Sequence, residues 1–430
     1  MQSNRARFLR HTHIVTAAML VALLLLWLSP DARGVTTEPE VDKDPSGAPY
    51  AAGELLVTYE PEASEQDVDE AVEESDARVE EELPAPDAQL LSFPEAQDES
   101  TEAARERELR EAREILERDP DVKYVDYNYL LLPAFTPNDP FFAGEPQSSP
   151  QWNLHKIRVP FAWDTVLGKG AKVAVVDSGI AADHPDLSGK IAAQKDVVDN
   201  DNEAEDSVGH GTHVAGTVAA ATNNGEGVAG VCPSCKLLVA KSGGERLFTS
   251  DVVQGIYWSV DNRAKVINLS LGSYGNSRSL EHAVNYAWQH GVVVVAAAGN
   301  DGTNKPFYPA AYDRVISVAA TDGGDKKAYF SNYGKIDVAA PGVGILSTVP
   351  RTTDCDGNTI PDNVDYCPLQ GTSMASPHVA ALAGLLAAQG LKAPEIRRRI
   401  EKTAVDLGKT GKDKYFGWGL INAERAVIKR

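Results

Sequence analysis

Lys172-Val-Ala-Val-Val-Asp177-Ser-Gly179 decides the fold of this chain. Four apolar residues follow one another without a polar residue between them. A strand with one wet face alternates; a strand covered on both faces reads as an unbroken Val/Ile/Ala run. The same signature recurs at Leu237–Ala240 and Val292–Ala296, and with one polar residue each, Asn268 and Ser317, at Val266–Leu269 and Val315–Val318. Helical stretches separate these runs, at about 210–221, 251–260, 280–290 and 373–389. Strand and helix in alternation predict an α/β fold, a mostly parallel sheet flanked by helices. Ligands of such sheets sit beyond the carboxyl ends of the strands. Asp177 stands there, and so does Asn300 at the end of Val292-Val-Val-Val-Ala-Ala-Ala-Gly-Asn300.

Two more segments supply what a carboxylate at a strand end could serve. Gly209-His210-Gly-Thr-His-Val-Ala-Gly216 opens a helix with an imidazole. Gly371-Thr-Ser373-Met-Ala-Ser-Pro-His378 opens another with a hydroxyl. A serine hydroxyl is a weak nucleophile at neutral pH and needs a base, which in turn needs an orienting partner. Small neighbours admit a peptide carbonyl, and helix-start amides add positive potential. Taken singly, Asp177 reads as a strand-end cap, His210 as a helix-terminal residue, Ser373 as an N-cap and Asn300 as a turn former. Their joint occurrence, with the first three in the order Asp, His, Ser, carries the reading.

These segments resemble the subtilisin-like serine proteases, and the thermitase branch in particular, from about Asn138 onward. The resemblance implies a serine endopeptidase. In it His210 takes the Ser373 proton, Asp177 fixes the imidazole tautomer, and Asn300 donates its amide to the oxyanion beside the Ser373 backbone N–H. It implies that substrate peptide pairs with Ser270-Leu271-Gly272-Ser273 as an added strand, with Ala296 to Gly299, Ala297 among them, on the opposite wall of the primary side-chain pocket. Phe307 falls at the base of that pocket and is expected to shorten it. A catalytically silent relative that binds peptides or its own pro-segment is the alternative reading.

The resemblance also implies calcium. Asp139, Asp186 and Asn224 would offer side-chain oxygens, and Ala221, Glu226 and Val228 carbonyls, a hard-oxygen set that suits the ion. A second stretch, Asp354-Cys-Asp356-Gly-Asn358-Thr-Ile-Pro-Asp362-Asn-Val-Asp365-Tyr-Cys367, resembles one thrombospondin type-3 calcium repeat, with Thr359 in place of the usual Gly. It forms an insert over 354–367, just before the Ser373 segment. No organic cofactor is expected.

Charge divides the chain. Residues 36–134 hold about 30 Asp/Glu against 8 Lys/Arg, while the part from 135 onward is nearly neutral, within a total of -21. The split marks a domain boundary, and no basic cluster points to a nucleic-acid partner. Residues 1–33 read as a signal peptide or anchor: Arg5, Arg7 and Arg10 precede an apolar run, 14–28, that falls short of the roughly 20 residues a bilayer demands. A cleaved signal gives a secreted protein; an uncleaved one ties it to a membrane. Residues 34–50 read as linker. Residues 51–134 follow a strand, helix, strand, helix, strand pattern, with Leu109, Ile115 and Leu116 on the apolar side of the second helix. This pattern resembles the inhibitory pro-segment of the same family, so the chain is expected to be a self-processing zymogen cut near Ala134. Residues 135–430 are expected to form the catalytic domain, which ends soon after Tyr415-Phe-Gly-Trp-Gly-Leu-Ile-Asn-Ala423. Four cysteines in an exported chain are expected as two local disulfides, Cys232–Cys235 and Cys355–Cys367. Protein or peptide substrates are the expected partners, and a monomer the expected state.

Overall fold

The computed structural model describes residues 41–44, 49–83, 88–94, 96, 101–130, 135–143, 149–351, 353 and 365–428. The apolar run 14–28 and most of the insert, including Asp354, Asp356, Asn358 and Asp362, lie outside them. Among the described residues no helix is long and apolar enough to cross a membrane. Two compact units divide the chain, Met1–Leu131 and Leu132–Arg430.

The first unit contains an antiparallel sheet. Its strands are β1 (Val41–Lys43), β2 (Pro49–Tyr59), β3 (Arg78–Glu82), β4 (Ala88–Ser92) and β5 (Val122–Tyr129); its helices include α1 (Glu65–Glu74) and α2 (Glu102–Leu116). Strand β2 is central and pairs with β1, β4 and β5. Ser64 caps α1 by a reciprocal bond with Asp67, which satisfies two orphan amides. The sequence reads 41–43 and 49–50 as linker, yet both are strand. Their anchor is a buried pair across 63 residues, Arg105 Nε to Asp42 Oδ2 at 2.8 Å and Arg105 Nη2 to Asp42 Oδ1 at 2.6 Å, which local composition does not reveal. Ile115 also departs from the sequence reading: it is 42% exposed, while Arg105, Leu109, Ala112 and Leu116 are buried. Those four recur at the 3.6-residue helical period, and Ile115 falls just off the stripe.

The second unit is built on a seven-stranded sheet. Its strands are β6 (Lys172–Asp177), β7 (Ile191–Asp196), β8 (Lys236–Lys241), β9 (Val266–Leu269), β10 (Val293–Ala297), β11 (Val315–Thr321) and β12 (Val338–Pro341). They lie in the order β12-β11-β10-β9-β6-β8-β7. Every pairing is parallel. Val173, Val175, Val293 and Val295 join the core on one face, and Ala174, Val176, Val294 and Ala296 the core on the other. That double burial is why the runs do not alternate. Strand β7 escapes the sequence reading because its Ala-Ala-Gln-Lys has little β preference; as the sheet's edge it pairs on one side only.

Helices that bear on the site are α3 (His210–Ala219), α4 (Thr249–Asp261) and α5 (Thr372–Ala388). Helix α5 runs through the larger core beside α3 and is buried along almost its whole length, so it shows no polar face. Gly384 leaves room for the Cys232–Cys235 disulfide: a Cβ there would lie 2.9 Å from Cys235 Sγ. Cys367 is also disulfide-bonded; Cys355, its expected partner, lies outside the described residues. A hairpin of β13 (Ile345–Thr348) and β14 (Tyr366–Leu369) precedes α5.

Candidate active site

Strand β6 ends on Asp177, 2% exposed, and the chain then passes under the start of α3. A Cβ on Gly211 would collide with Gly179 O, so glycine is required where the two segments cross. Asp177 Oδ1 accepts from Ser178 N at 2.8 Å and pairs with His210 Nδ1 at 2.7 Å. That bond assigns the ring proton to Nδ1 and leaves Nε2 as the acceptor. Burial pulls the His210 imidazolium down, but the Asp177 charge and hydrogen bond, with Asp206 behind them, outweigh it and hold His210 above its ordinary value.

Asp206 escaped the sequence reading. It is buried and organises the helix start. Its Oδ1 accepts from Ser178 Oγ, Val208 N and Gly209 N, and its Oδ2 from Thr212 N and Oγ1, at 2.6–3.0 Å. Ser178 Oγ in turn accepts from Gly211 N at 2.9 Å. An acidic side chain near a helix start is an ordinary signal; its four-residue offset from His210 hid it.

Ser373 sits in the first turn of α5. Pro377 has no N–H to give the Ser373 carbonyl, and Ser270 Oγ donates to that carbonyl instead at 2.7 Å. Asn268 Nδ2 donates to Ser270 Oγ, and Ser376 Oγ donates to Asn268 Oδ1, at 2.9 and 2.7 Å. A buried polar chain therefore ties β9 to the serine turn. Ser373 Oγ donates to Ser270 O at 3.1 Å, so its proton points away from the expected partner, His210. Contacts between nucleophile and base are often loose in free enzymes and tighten with substrate.

Asn300 Oδ1 accepts from Thr372 N and Thr372 Oγ1, each at 2.8 Å. With the oxygen fixed, the amide nitrogen faces Gly371. A Cβ on Gly371 would lie 3.4 Å from Asn300 Nδ2 and 3.6 Å from Ser373 N. Glycine keeps that space open, and two N–H groups border it. Three other histidines hold the scaffold. Burial pushes His213 down to about 3 and His378 down to about 4, and His184 bonds Asp186 N and Asp365 O.

The subtilase family profile matches residues 168–419, more than half of the chain. The chain belongs to the subtilase family. The fervidolysin N-terminal prodomain profile matches residues 36–128. Thermitase from Thermoactinomyces vulgaris is 48% identical over 68% of this chain and 99% of its own length. A thermophilic serine proteinase from Bacillus sp. (strain AK1) is 41% identical over 91% of both. The crystal structure of fervidolysin from Fervidobacterium pennivorans superposes with a TM-score of 0.60 at 29% identity, covering 92% of this chain and 65% of that one. This subtilase is thus a subtilisin-like serine endopeptidase with a fervidolysin-like prodomain.

In the subtilase cleft, Ser270, Leu271, Gly272 and Ser273 continue β9. Phe307 stands between this segment and the one that continues β10 beyond Ala297. A Cβ on Gly272 would collide with the Phe307 ring, and one on Gly299 would lie 3.0 Å from it. Tyr274 meets the ring edge-on at 5.2 Å. Behind Phe307 a cavity of only about 50 Å³ remains, lined also by Ala298, Ser317 and Lys335.

The residues foreseen as calcium ligands fall into two groups. Asp139 and Asp186 are fully buried, and the 221–228 loop bonds to both. Asp139 Oδ2 accepts from Asn223 N at 2.7 Å, while its Oδ1 is buried with no hydrogen-bond partner. Asp186 Oδ1 accepts from Asn224 Nδ2, and Oδ2 from Val228 N, both at 2.8 Å; Asp186 O accepts from Ala221 N at 2.7 Å. Asn224 Oδ1 takes Glu226 N at 3.1 Å. Burial raises both carboxyls above their ordinary range. Two buried carboxylates, one with an orphaned oxygen, fit a divalent cation of hard character. The insert differs. Asp365, foreseen as a ligand there, is paired with Arg351 at 2.8 Å, and that guanidinium already neutralises it. Among the described residues no cluster of three or more His, Cys, Asp or Glu forms a metal site.

Proposed function

We propose that this subtilase is an exported, self-processing zymogen in which Asp177, His210 and Ser373 form the catalytic triad. The observation that carries the reading is the 2.7 Å His210–Asp177 bond at the carboxyl end of a parallel strand. Ser373 Oγ attacks the scissile carbonyl while His210 Nε2 takes its proton, and His210 then returns that proton to the leaving amine. Asp177 stabilises the imidazolium between the two transfers. Negative charge on the former carbonyl oxygen is met by Asn300 Nδ2 and Ser373 N, across the space that Gly371 keeps clear. Water then attacks the acyl-enzyme by the same route in reverse.

Substrate is a protein or peptide strand laid along Ser270–Ser273, where backbone bonds tolerate many sequences. Phe307 leaves the primary pocket room for small side chains only. A peptide panel should show wild type favouring Ala or Ser before the scissile bond and Phe307→Gly admitting Phe or Leu; an unchanged preference sinks this assignment.

The side chains of Asp139, Asp186 and Asn224, with the carbonyls of Ala221, Glu226 and Val228, would hold calcium, whose charge offsets the two buried carboxylates and fixes the loop. The insert, with Asp354, Asp356, Asn358 and Asp362, is a second candidate. Residues 51–134 act as folding aid and intramolecular inhibitor until cut near Ala134. Export through residues 1–33 gives a secreted monomer; retention of that segment gives a membrane-anchored one.

Intact mass and N-terminal sequencing, wild type beside Ser373→Ala with calcium present, test the scheme. Loss of the residues up to about Ala134 by wild type alone supports self-processing. Cleavage of both chains at one place refutes it. On the Ser373→Ala chain, a chelator should lower the melting temperature, and Asp139→Asn should remove that response.

A further inference from the structure

Beside His210 a cleft of about 460 Å³ opens between the turn after β8 and the segment after β9. Its apolar lining is Val208, Leu247, Val252, Leu271, Leu280 and Tyr308. Of Asp, Glu, His, Lys and Arg, only Asp177, His210 and Glu245 line it among the described residues. Asp177 and His210 are spent on each other at 2.7 Å. Glu245 is exposed, and among the described residues no hydrogen bond or ion pair holds it. Arg246, the next residue, does not line the cleft.

The turn that carries Glu245 is fixed. Ser242 N donates to Asp177 O at 2.8 Å, Gly243 pairs with Leu247, and α4 begins at Thr249. Gly243 has φ +154, and a Cβ there would collide with Arg246 O, so the turn depends on that glycine. The backbone that carries Glu245 is thereby held at a defined place on the cleft.

We propose that Glu245 is a specificity-determining residue that selects a lysine or arginine upstream of the scissile bond. This rests on the reading that substrate lies along Ser270–Ser273. The cleft shares Leu271 and Gly272 with the wall that packs on Phe307, so its occupant belongs to the same, acyl-donating side of the substrate. A long methylene stem suits the apolar walls, and the terminal cation reaches the carboxylate at the mouth. An acidic side chain in that position meets a like charge with no cation to relieve it.

The processed enzyme tests this with matched peptides, small before the scissile bond and carrying Arg, Met or Glu at each of the second to fourth positions upstream. The ratio of kcat/KM for Arg over Glu should exceed one at one of these positions, by about two- to fivefold per charge pair, the range of an exposed ion pair. It should shrink in Glu245→Gln, invert in Glu245→Lys and flatten at high salt. Identical ratios in wild type and Glu245→Gln overturn the proposal, whether or not the lysine variant folds. The Ser373→Ala chain separates the two layers. If it cleaves the panel, the site reading and this inference fall together. If it is inert while the ratios stay equal, only Glu245 is dismissed.

Discussion

The two halves of the site are built differently. In one, Asp177 and His210 already touch, and a second buried carboxylate, Asp206, collects five donors around them. In the other, Ser373 Oγ still bonds Ser270 O, and the two N–H groups near Gly371 border an open space. In the proposed mechanism the base is assembled in advance, and the groups that would meet the reacting carbonyl are held ready for a charge not yet present. Such readiness suits transition-state stabilisation, because donors satisfied in the free enzyme could not strengthen as the oxyanion forms.

The largest break in this comparison falls on the assembled half. Asp177→Asn keeps the shape but presents an amide to Nδ1, which favours the wrong tautomer and leaves the imidazolium unsupported. In another serine protease that change lowers kcat by about 10⁴, and a loss of that order is expected here. Steady-state kinetics on the processed enzyme measure it; a loss below about tenfold would remove Asp177 from the triad.

Next comes the waiting half. Asn300→Ala removes one donor and also frees Thr372, whose N and Oγ1 both bond Asn300 Oδ1. A cost of about 10²–10³ in kcat is expected, a magnitude that comes from subtilisin, of the same family. KM should change little, since the bond forms only as charge develops. A rise in KM with kcat intact would mean that Asn300 holds the ground state instead.

The same contrast explains what the sequence could and could not reveal. Asp177, His210, Ser373 and Asn300 each lie at the end of a strand or the start of a helix, where a local pattern announces them. Asp206, Asn268 and Ser376 act through partners that only the fold brings close: Asn268 and Ser376 are 108 residues apart in the chain. The Asp42–Arg105 pair is invisible for the same reason, and so residues 41–43 read as linker. Doubly buried strands were legible from apolar runs that do not alternate, broken at most by one polar residue such as Asn268 or Ser317, whereas the edge strand β7 and the short edge strand β12 carried too little pattern. The pairing of Asp365 with Arg351, 14 residues earlier, is likewise something the spacing within the insert does not announce.

The smallest effect sharpens the comparison most, because it should touch one half alone. His210 must be neutral to accept the Ser373 proton, and its folded-state pKa is raised, burial being outweighed by Asp177 and Asp206. A raised value means the imidazole stays protonated to a higher pH than usual. Activity should therefore be present at alkaline pH and lost as pH falls, with the acid limb of kcat/KM above the ordinary histidine value of about 6.5. Asp206→Asn withdraws one of the charges that raise it and keeps a single accepting oxygen, enough for one of the two donor sets that Asp206 now serves, so in the folded variant the limb should move to lower pH. Asn300→Ala removes no charge and touches neither ring nitrogen, so its limb should stay where wild type has it, at a turnover lower by orders of magnitude. A limb that moved in Asn300→Ala, or stayed fixed in a folded Asp206→Asn, would show that the two halves are not the separate devices their hydrogen bonds describe.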